Sequence, residues 1–339
     1  MPDRTESAPN ATVRSPSAPR ILPAAAAGAI TEAVAALKAG ALVGMPTETV
    51  YGLAADAANP QAVARIFAAK GRPRFNPLIA HVADRAMADR LAHIPPAADA
   101  LIARFWPGPL TLVLDRRPDA PVAELATAGL STVALRAPAH ASAQALITAL
   151  GRPVVAPSAN RSGHVSATTA DHVAADLGGR VAVILDAGPC RIGLESTVVR
   201  VEAEGRWWLL RPGAIAEEDI TSLLGPPARA EADRADRPLS PGLLLRHYAP
   251  GKPLRLDVTT AEADEFLIGF GAVAGEVTLS ARGDLTEAAA RLFALLRKAE
   301  ASPKPRIAVA PIPARGLGRA IRDRLERAAR EETPAGQTG

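Results

Sequence analysis

From residue 41 to residue 210 the chain passes without a fixed rhythm between short apolar runs and stretches of helical spacing, and this irregular alternation constrains its fold most. Residues 41–45, 110–114, 131–137, 153–156, 181–185, 196–201 and 207–210 read as strands. Residues 30–37, 61–70, 97–106 and 169–177 carry their apolar side chains at helical spacing. Strands outnumber helices and the order is mixed. The expectation is an α/β chain on an open, twisted, mixed sheet rather than a regular doubly wound one.

The 339 residues suffice for two domains. Between residues 225 and 239 proline, alanine and charge replace pattern, and SPGLLLRHYAPGKP follows with Arg246, His247 and Tyr248. Strand-like and helical patterns then resume as far as Ala329. The expected organisation is a disordered tail over 1–20, a larger domain over 21–217, a linker over 218–252, and a small Rossmann-like α/β domain over 253–332. Aromatic residues are only 3% of the chain, so the core must come from Ala, Val, Leu and Ile, and no stacking platform for single-stranded nucleic acid stands out. The +4 charge and pI of 9.6 permit an anionic ligand without requiring one. One cysteine, Cys190, excludes an internal disulfide and a cysteine zinc site, in keeping with a cytoplasmic protein. No apolar run is long enough to span a bilayer, and the N-terminus has no apolar core of the secretory kind.

Four stretches carry chemistry. In AAKGRPRFNPLIAHV, a helix ends on Lys70-Gly71-Arg72 and a strand alternates through Leu78, Ala80 and Val82, placing Lys70, Arg72, Arg74 and His81 within short reach. Such cations suit phosphate, or form a solvated basic turn. In PTETVYGL, Thr47, Glu48, Thr49 and Tyr51 crowd beside Gly52 directly after a strand, as a ligand-binding turn or a capped polar one. Arg136 shares a strand face with Thr132 and Ala134, so it opens onto a cleft or snorkels to solvent. In PSANRSGHVSATT, Ser158 and Asn160 lie two apart, with Ser162, Ser166, Thr168 and Thr169 beyond, as a phosphate or ribose loop or as helix caps. There is no G-x-x-x-x-G-K-[ST], H-E-x-x-H or G-x-S-x-G sequence, and Gly269, Gly271 and Gly275 have the wrong spacing for a dinucleotide fingerprint.

Taken together and in order, PTETVYGL, KGRP with NPL and His81, FWPGPLTLVL, TVALRAP, APSAN, G-x-E-S-T at Gly193 to Thr197 and LLRPG resemble the YrdC family of threonylcarbamoyl-AMP synthases. The SPG…HYAP segment and LSARGDLTEAAARLFALLR resemble its longer, two-domain branch, against which the second domain here is expected to be short. The resemblance implies an enzyme that makes threonylcarbamoyl-AMP and pyrophosphate from L-threonine, bicarbonate and ATP. A separate transferase complex then modifies tRNA, and direct tRNA contact by this chain is left open. Mg2+ is expected with ATP, held by substrate oxygens and water, with no protein metal site.

Residue by residue, the resemblance implies Lys70, Arg72, Ser158 and Asn160 around the ATP phosphates, with Lys70 and Arg72 as the catalytic pair. Asn76, Thr132, Ser166, Arg211 and Tyr248 are expected to face the nucleotide. Thr49, His81, Arg136 and Ser196 are expected around L-threonine, Arg136 toward its carboxylate and the carbonyl of Ala156 toward its amine. His247 and Tyr248 fall where the linker closes over the site. The alternative is an RNA-binding module of the same fold without synthase activity. A carbamoyl-transfer domain of hydrogenase maturation shares the fold, but its cysteine-rich zinc segments are absent.

Overall fold

A computed structural model describes residues 18–228 and 247–330. The expected tail therefore lies almost wholly outside the described residues, as does the linker from 229 to 246 with Arg246. The strands are β1 (Arg20–Pro23), β2 (Val43–Met45), β3 (Gly52–Asp56), β4 (Ile79–His81), β5 (Leu110–Asp115), β6 (Thr132–Arg136), β7 (Val154–Val155), β8 (Val183–Asp186), β9 (Thr197–Val201), β10 (Trp207–Arg211), β11 (Leu254–Arg255), β12 (Glu265–Gly269), β13 (Val277–Thr278) and β14 (Arg306–Val309). The first ten make one sheet, ordered β1-β8-β2-β3-β7-β4-β6-β5-β9-β10, with parallel and antiparallel pairs interspersed. The last four make a wholly parallel sheet, β11-β14-β12-β13. Both match the mixed sheet and the small Rossmann-like unit expected from the pattern.

Alternation along β4, β5, β6 and β9 separates two faces of the large sheet. Ala80, Leu110, Leu112, Leu114, Val133, Leu135, Val199 and Val201 point into the main core. There they meet helical residues such as Ile66 and Phe67 of Pro60–Lys70 and Leu146 and Ile147 of Ala141–Leu150. Each such fully buried side chain contributes about 1.5–3 kcal/mol. The opposite face holds only a small cluster of Ile79, Val113, Ala134 and Val198, and interleaved with it come His81, Thr111 and Arg136. Polar and charged side chains on an inner strand face need partners or a ligand.

The helix Pro60–Lys70 shows how local sequence aims the site. The side chain of Asn59 accepts from the backbone N–H groups of Gln61 and Ala62, capping its start. Gly71 ends it in the left-handed conformation, φ 62°, with the Arg72 N–H donating back to Phe67 O at 3.0 Å. That geometry favours glycine, and it turns Arg72 off the helix beside Lys70.

Three readings of the sequence are corrected. Gly52 to Asp56, taken as part of a polar turn, forms β3 in the middle of the sheet, because Leu53, Ala54 and Ala55 are fully buried. Arg20, placed at the end of the tail, opens β1, which pairs with β8. Residues expected at the start of the linker belong to the helix Glu217–Leu224, whose Ile220 is buried in the main core.

Candidate active site

The second, polar face of the large sheet and the turns around it line a cleft. Its floor comes from the strands. Parallel pairing sets His81 of β4 beside Arg136 of β6. Arg136 donates from Nη2 to Glu48 Oε1 at 2.6 Å and from Nε to Gly108 O at 3.2 Å, and the Ala139 N–H donates to Glu48 Oε2 at 3.1 Å. Arginine and glutamate side chains are 4% and 5% exposed, so this ion pair is desolvated. Burial pushes the Glu48 carboxyl up, but the charge and hydrogen bond of Arg136 outweigh it and hold it below its ordinary value. His81 Nδ1 lies 3.2 Å from Ile79 O, and a carbonyl accepts only, so Nδ1 carries the hydrogen. Burial, and then the neighbouring Arg136 charge, depress its pKa to about 3.

At the far side, Ser196 precedes β9 and shares a 2.7 Å hydrogen bond with Thr111 Oγ1. Arg211, the last residue of β10, donates from Nη2 to Ser196 O at 2.9 Å and Oγ at 3.2 Å. Thr49, fully buried, is held through Thr47 Oγ1 at 2.9 Å.

The wall is cationic. Lys70 Nζ donates to Ser158 O at 2.6 Å and to Asn160 O, and Arg72 donates from Nη2 to Pro77 O at 3.0 Å and from Nε to Asn76 O at 3.4 Å. Among the described residues neither has a carboxylate at ion-pair distance. Burial, reinforced by Arg72, lowers the Lys70 pKa well below its ordinary value. Burial lowers that of Arg72 to about 10. Two desolvated cations bound only to carbonyl dipoles make a site whose missing charge is negative.

Unpartnered polar atoms point the same way. Among the described residues, the buried side-chain atoms without a hydrogen-bond partner are both amide atoms of Asn76, Oδ1 of Asn160, Nδ1 of His247 and Oη of Tyr248. His247 and Tyr248 line the cleft, and Asn76 and Asn160 are tied to Arg72 and Lys70. Native interiors rarely leave such atoms unsatisfied, so their grouping here marks a polar ligand.

Residues 35–213 match the Sua5/YciO/YrdC family model, described as "Telomere recombination", and residues 215–330 match the model described as "Threonylcarbamoyl-AMP synthase, C-terminal domain". The chain belongs to this family. The threonylcarbamoyl-AMP synthase of Bacillus subtilis (strain 168) is 42% identical over 322 residues, covering 88% of this chain and 92% of the relative. That of Pyrococcus abyssi is 40% identical, covering 86% and 91%. The crystal structure of P. abyssi Sua5 complexed with L-threonine superposes with a TM-score of 0.81 at 38% identity, covering 88% of this chain and 94% of that one. Coverage of that extent gives no support to the expectation that the second domain is short for the two-domain branch.

Within this family member, Thr49, Arg72, His81, Arg136, Ala156, Ser158, Ser196, Arg211, His247 and Tyr248 all line the one cleft. Lys70, Asn76 and Asn160 stand directly behind Arg72 and Ser158. Ser166 is tied in through Glu195, which lines the cleft and accepts from Ser166 Oγ at 2.6 Å. Thr132 differs. It faces the same side as Arg136 but sits four residues back along β6, about 13 Å at 3.3 Å per residue, opposite Asp115 and outside the lining.

Reasoning from sequence missed the partners. Glu48, Thr111, Glu195 and Arg324 hold Arg136, Ser196 and Ser166, directly or in sequence; the sequence offers Glu48 as one polar residue of a turn and Thr111 and Glu195 only as members of the family motifs FWPGPLTLVL and G-x-E-S-T. A buried arginine on an otherwise apolar strand signals a carboxylate partner, and Glu48 in PTET was legible on that ground. Arg324 lies in the helix Leu317–Ala328 of the second unit, and no local pattern relates it to a cleft more than a hundred residues away.

Proposed function

We propose that this chain is a threonylcarbamoyl-AMP synthase, converting L-threonine, bicarbonate and ATP into L-threonylcarbamoyladenylate and pyrophosphate. The observation that carries this reading is the buried pair Lys70 and Arg72, without carboxylate partners among the described residues and flanked by unpartnered polar atoms in a cleft whose floor holds Arg136 and His81.

Bicarbonate loses hydroxide to give carbon dioxide, and the threonine amine attacks its carbon. A C–N bond forms as one C=O electron pair moves onto oxygen, and the proton the amine releases leaves with the hydroxide as water. A carbamate oxygen then attacks the α-phosphorus of ATP, and the bond to the pyrophosphate oxygen breaks. The chain's own residues need only hold both reactants in line and oppose the charge that gathers on phosphate. Lys70 and Arg72 oppose that charge, and Asn76, Ser158 and Asn160 supply donors and acceptors beside them. Arg136 faces the threonine carboxylate while Glu48 fixes its fork. The Ala156 carbonyl accepts from the amine, and Thr49, His81 and Ser196 bound the amino acid. Ser166, Arg211 and Tyr248 lie toward the nucleotide, and Thr132 marks its far end. His247 and Tyr248 exclude water from the mixed anhydride.

Among the described residues no group of three or more His, Cys, Asp or Glu forms a metal cage, and the groups at the phosphate wall are cations. Mg2+ would accordingly be held by phosphate oxygens and water and would supply charge neutralisation on the triphosphate. The product would pass to a transferase acting on tRNA, in the cytoplasm. Among the described residues no helix is long and apolar enough to cross a membrane.

The test is pyrophosphate release from ATP, Mg2+ and bicarbonate with and without L-threonine, with mass analysis of the nucleotide product. Wild type should release pyrophosphate only with threonine and yield the adenylate. Lys70→Ala and Arg72→Ala should each lower that rate by roughly a hundredfold or more. Folded wild type that makes no such product would overturn the reading.

A further inference from the structure

Arg324 is completely buried, and the groups that satisfy it lie mostly outside its own helix. Its Nε donates to Glu195 Oε2 at 2.9 Å, and its Nη2 donates to Pro212 O at 2.9 Å. Its Nη1 donates to the neighbouring Asp323 at 2.5 Å. Its guanidinium carbon stands 5.0 Å from the centroid of the Tyr248 ring, within cation–π range. That ring also stacks on Phe293 of the second core, with centroids 5.7 Å apart.

Arg324 does not line the cleft, whereas Glu195 and Tyr248 do. Glu195 divides its carboxylate, one oxygen taking Arg324 and the other taking Ser166 Oγ at 2.6 Å. A carboxylate beside Arg211, in the cleft that Arg72 also lines, would compete with an incoming polyphosphate for the Arg211 charge and repel it. A guanidinium fixed behind that carboxylate neutralises it and fixes its direction.

We infer that Arg324 is a positioning residue for the nucleotide, through which the C-terminal unit holds Glu195, Ser166 and Tyr248 in the arrangement that accepts ATP. The inference deepens the proposed synthase reading and rests on it for the identity of the nucleotide. Arg324 touches neither substrate. Its effect is carried by the charge and direction of the Glu195 carboxylate. A merely structural arginine would, when lost, weaken the whole fold and leave the choice of residue at 195 without influence.

The experiment compares wild type, Arg324→Met, Arg324→Lys, Glu195→Gln and the double variant Arg324→Met/Glu195→Gln, as full-length chains of matched circular dichroism. Two readouts are taken: titration with a non-hydrolysable ATP analogue and Mg2+, and the separate KM values for ATP and threonine. Arg324→Met should weaken analogue binding and raise KM for ATP by about tenfold or more, with KM for threonine changed by less than about threefold. Arg324→Lys, which keeps the charge, should fall between, and the double variant should recover most of the lost affinity because the uncompensated carboxylate is gone. Equal KM increases for both substrates, or a folded double variant no better than Arg324→Met, would overturn the inference. Should Arg324→Met not fold, Arg324→Lys and the double variant decide it by the same criteria. Wild type that binds the analogue but makes no adenylate would count against the synthase reading alone, since the binding titration still tests Arg324.

Discussion

Glu48→Gln is the most informative single change in the floor of the cleft, because it removes one charge and almost no volume. The Arg136–Glu48 pair is 2.6 Å long, both side chains are about 95% buried, and Glu48 also accepts from the Ala139 N–H. Removing one partner of a buried ion pair costs about 3–5 kcal/mol, since the other charge is left desolvated. Glutamine keeps a carbonyl oxygen for only one of the two donors, Arg136 Nη2 or the Ala139 N–H, and turns its NH2 toward the other, so the expected loss is at least about 3 kcal/mol. At roughly 2–4 °C per kcal/mol for a unit of 150–250 residues, that is a fall of about 6–12 °C or more in Tm. The pH dependence has a definite sign. Arg136 holds the folded-state pKa of Glu48 below the ordinary 4.5, so the stabilisation is complete above 4.5 and is lost as pH falls through the folded value. Urea unfolding of wild type and Glu48→Gln at pH 7, and at steps below pH 4.5, should show a gap of at least about 3 kcal/mol that narrows on acidification. A gap below 1 kcal/mol at pH 7, or one that widens in acid, would refute the account of this pair.

His81 should stay neutral across the working range. With a folded pKa of about 3 and an unfolded value near 6.5, its ring resonances should not titrate between pH 8 and 5, and it should cost stability as pH falls below 6.5; a His81 titration midpoint near 6 would contradict its burial. Gly193→Ala should loosen the second unit from the cleft: the residue sits at φ 73°, and a Cβ would come within 2.5 Å of Ala289 O and 2.6 Å of Ala290 Cα. Backbone cannot give way as a flexible side chain can, so a loss of more than about 2 kcal/mol is expected, read as faster hydrogen exchange over the helix Leu285–Ala301, and unchanged exchange there would count against this contact.

Much of the fold was legible because it rests on period and punctuation. Gly71 closes the helix read over 61–70 where the sequence says, with Pro60 added at its start, and the face assignment of Arg136 follows from counting by twos along β6. β3 was not legible, since GLAAD has no β-branched or aromatic residue and its small side chains carry no strand signal, while its place between β2 and β7 buries it. The cations and hydroxyls of the cleft could be found because each sits in a local motif at a strand or helix end. The partners that hold them could not, with the exception of Glu48, because Glu195 and Arg324 stand 129 positions apart in the sequence with no signal that the two meet.

Three turns at the cleft each place an apolar side chain in the second hydrophobic core: Val50 beside Thr49, which also lines the cleft, Val165 beside Ser166 and Leu194 beside Glu195 are all buried there, with Phe293 and Leu296. Arg297 of the same helix fastens them further, donating to Val165 O at 2.6 Å and pairing with Asp176 at 2.8 Å. The two units are therefore not interchangeable modules. On the inference drawn for Arg324, a change in the smaller one reaches substrate affinity without touching substrate, through residues that a map of the cleft alone would class as scaffold.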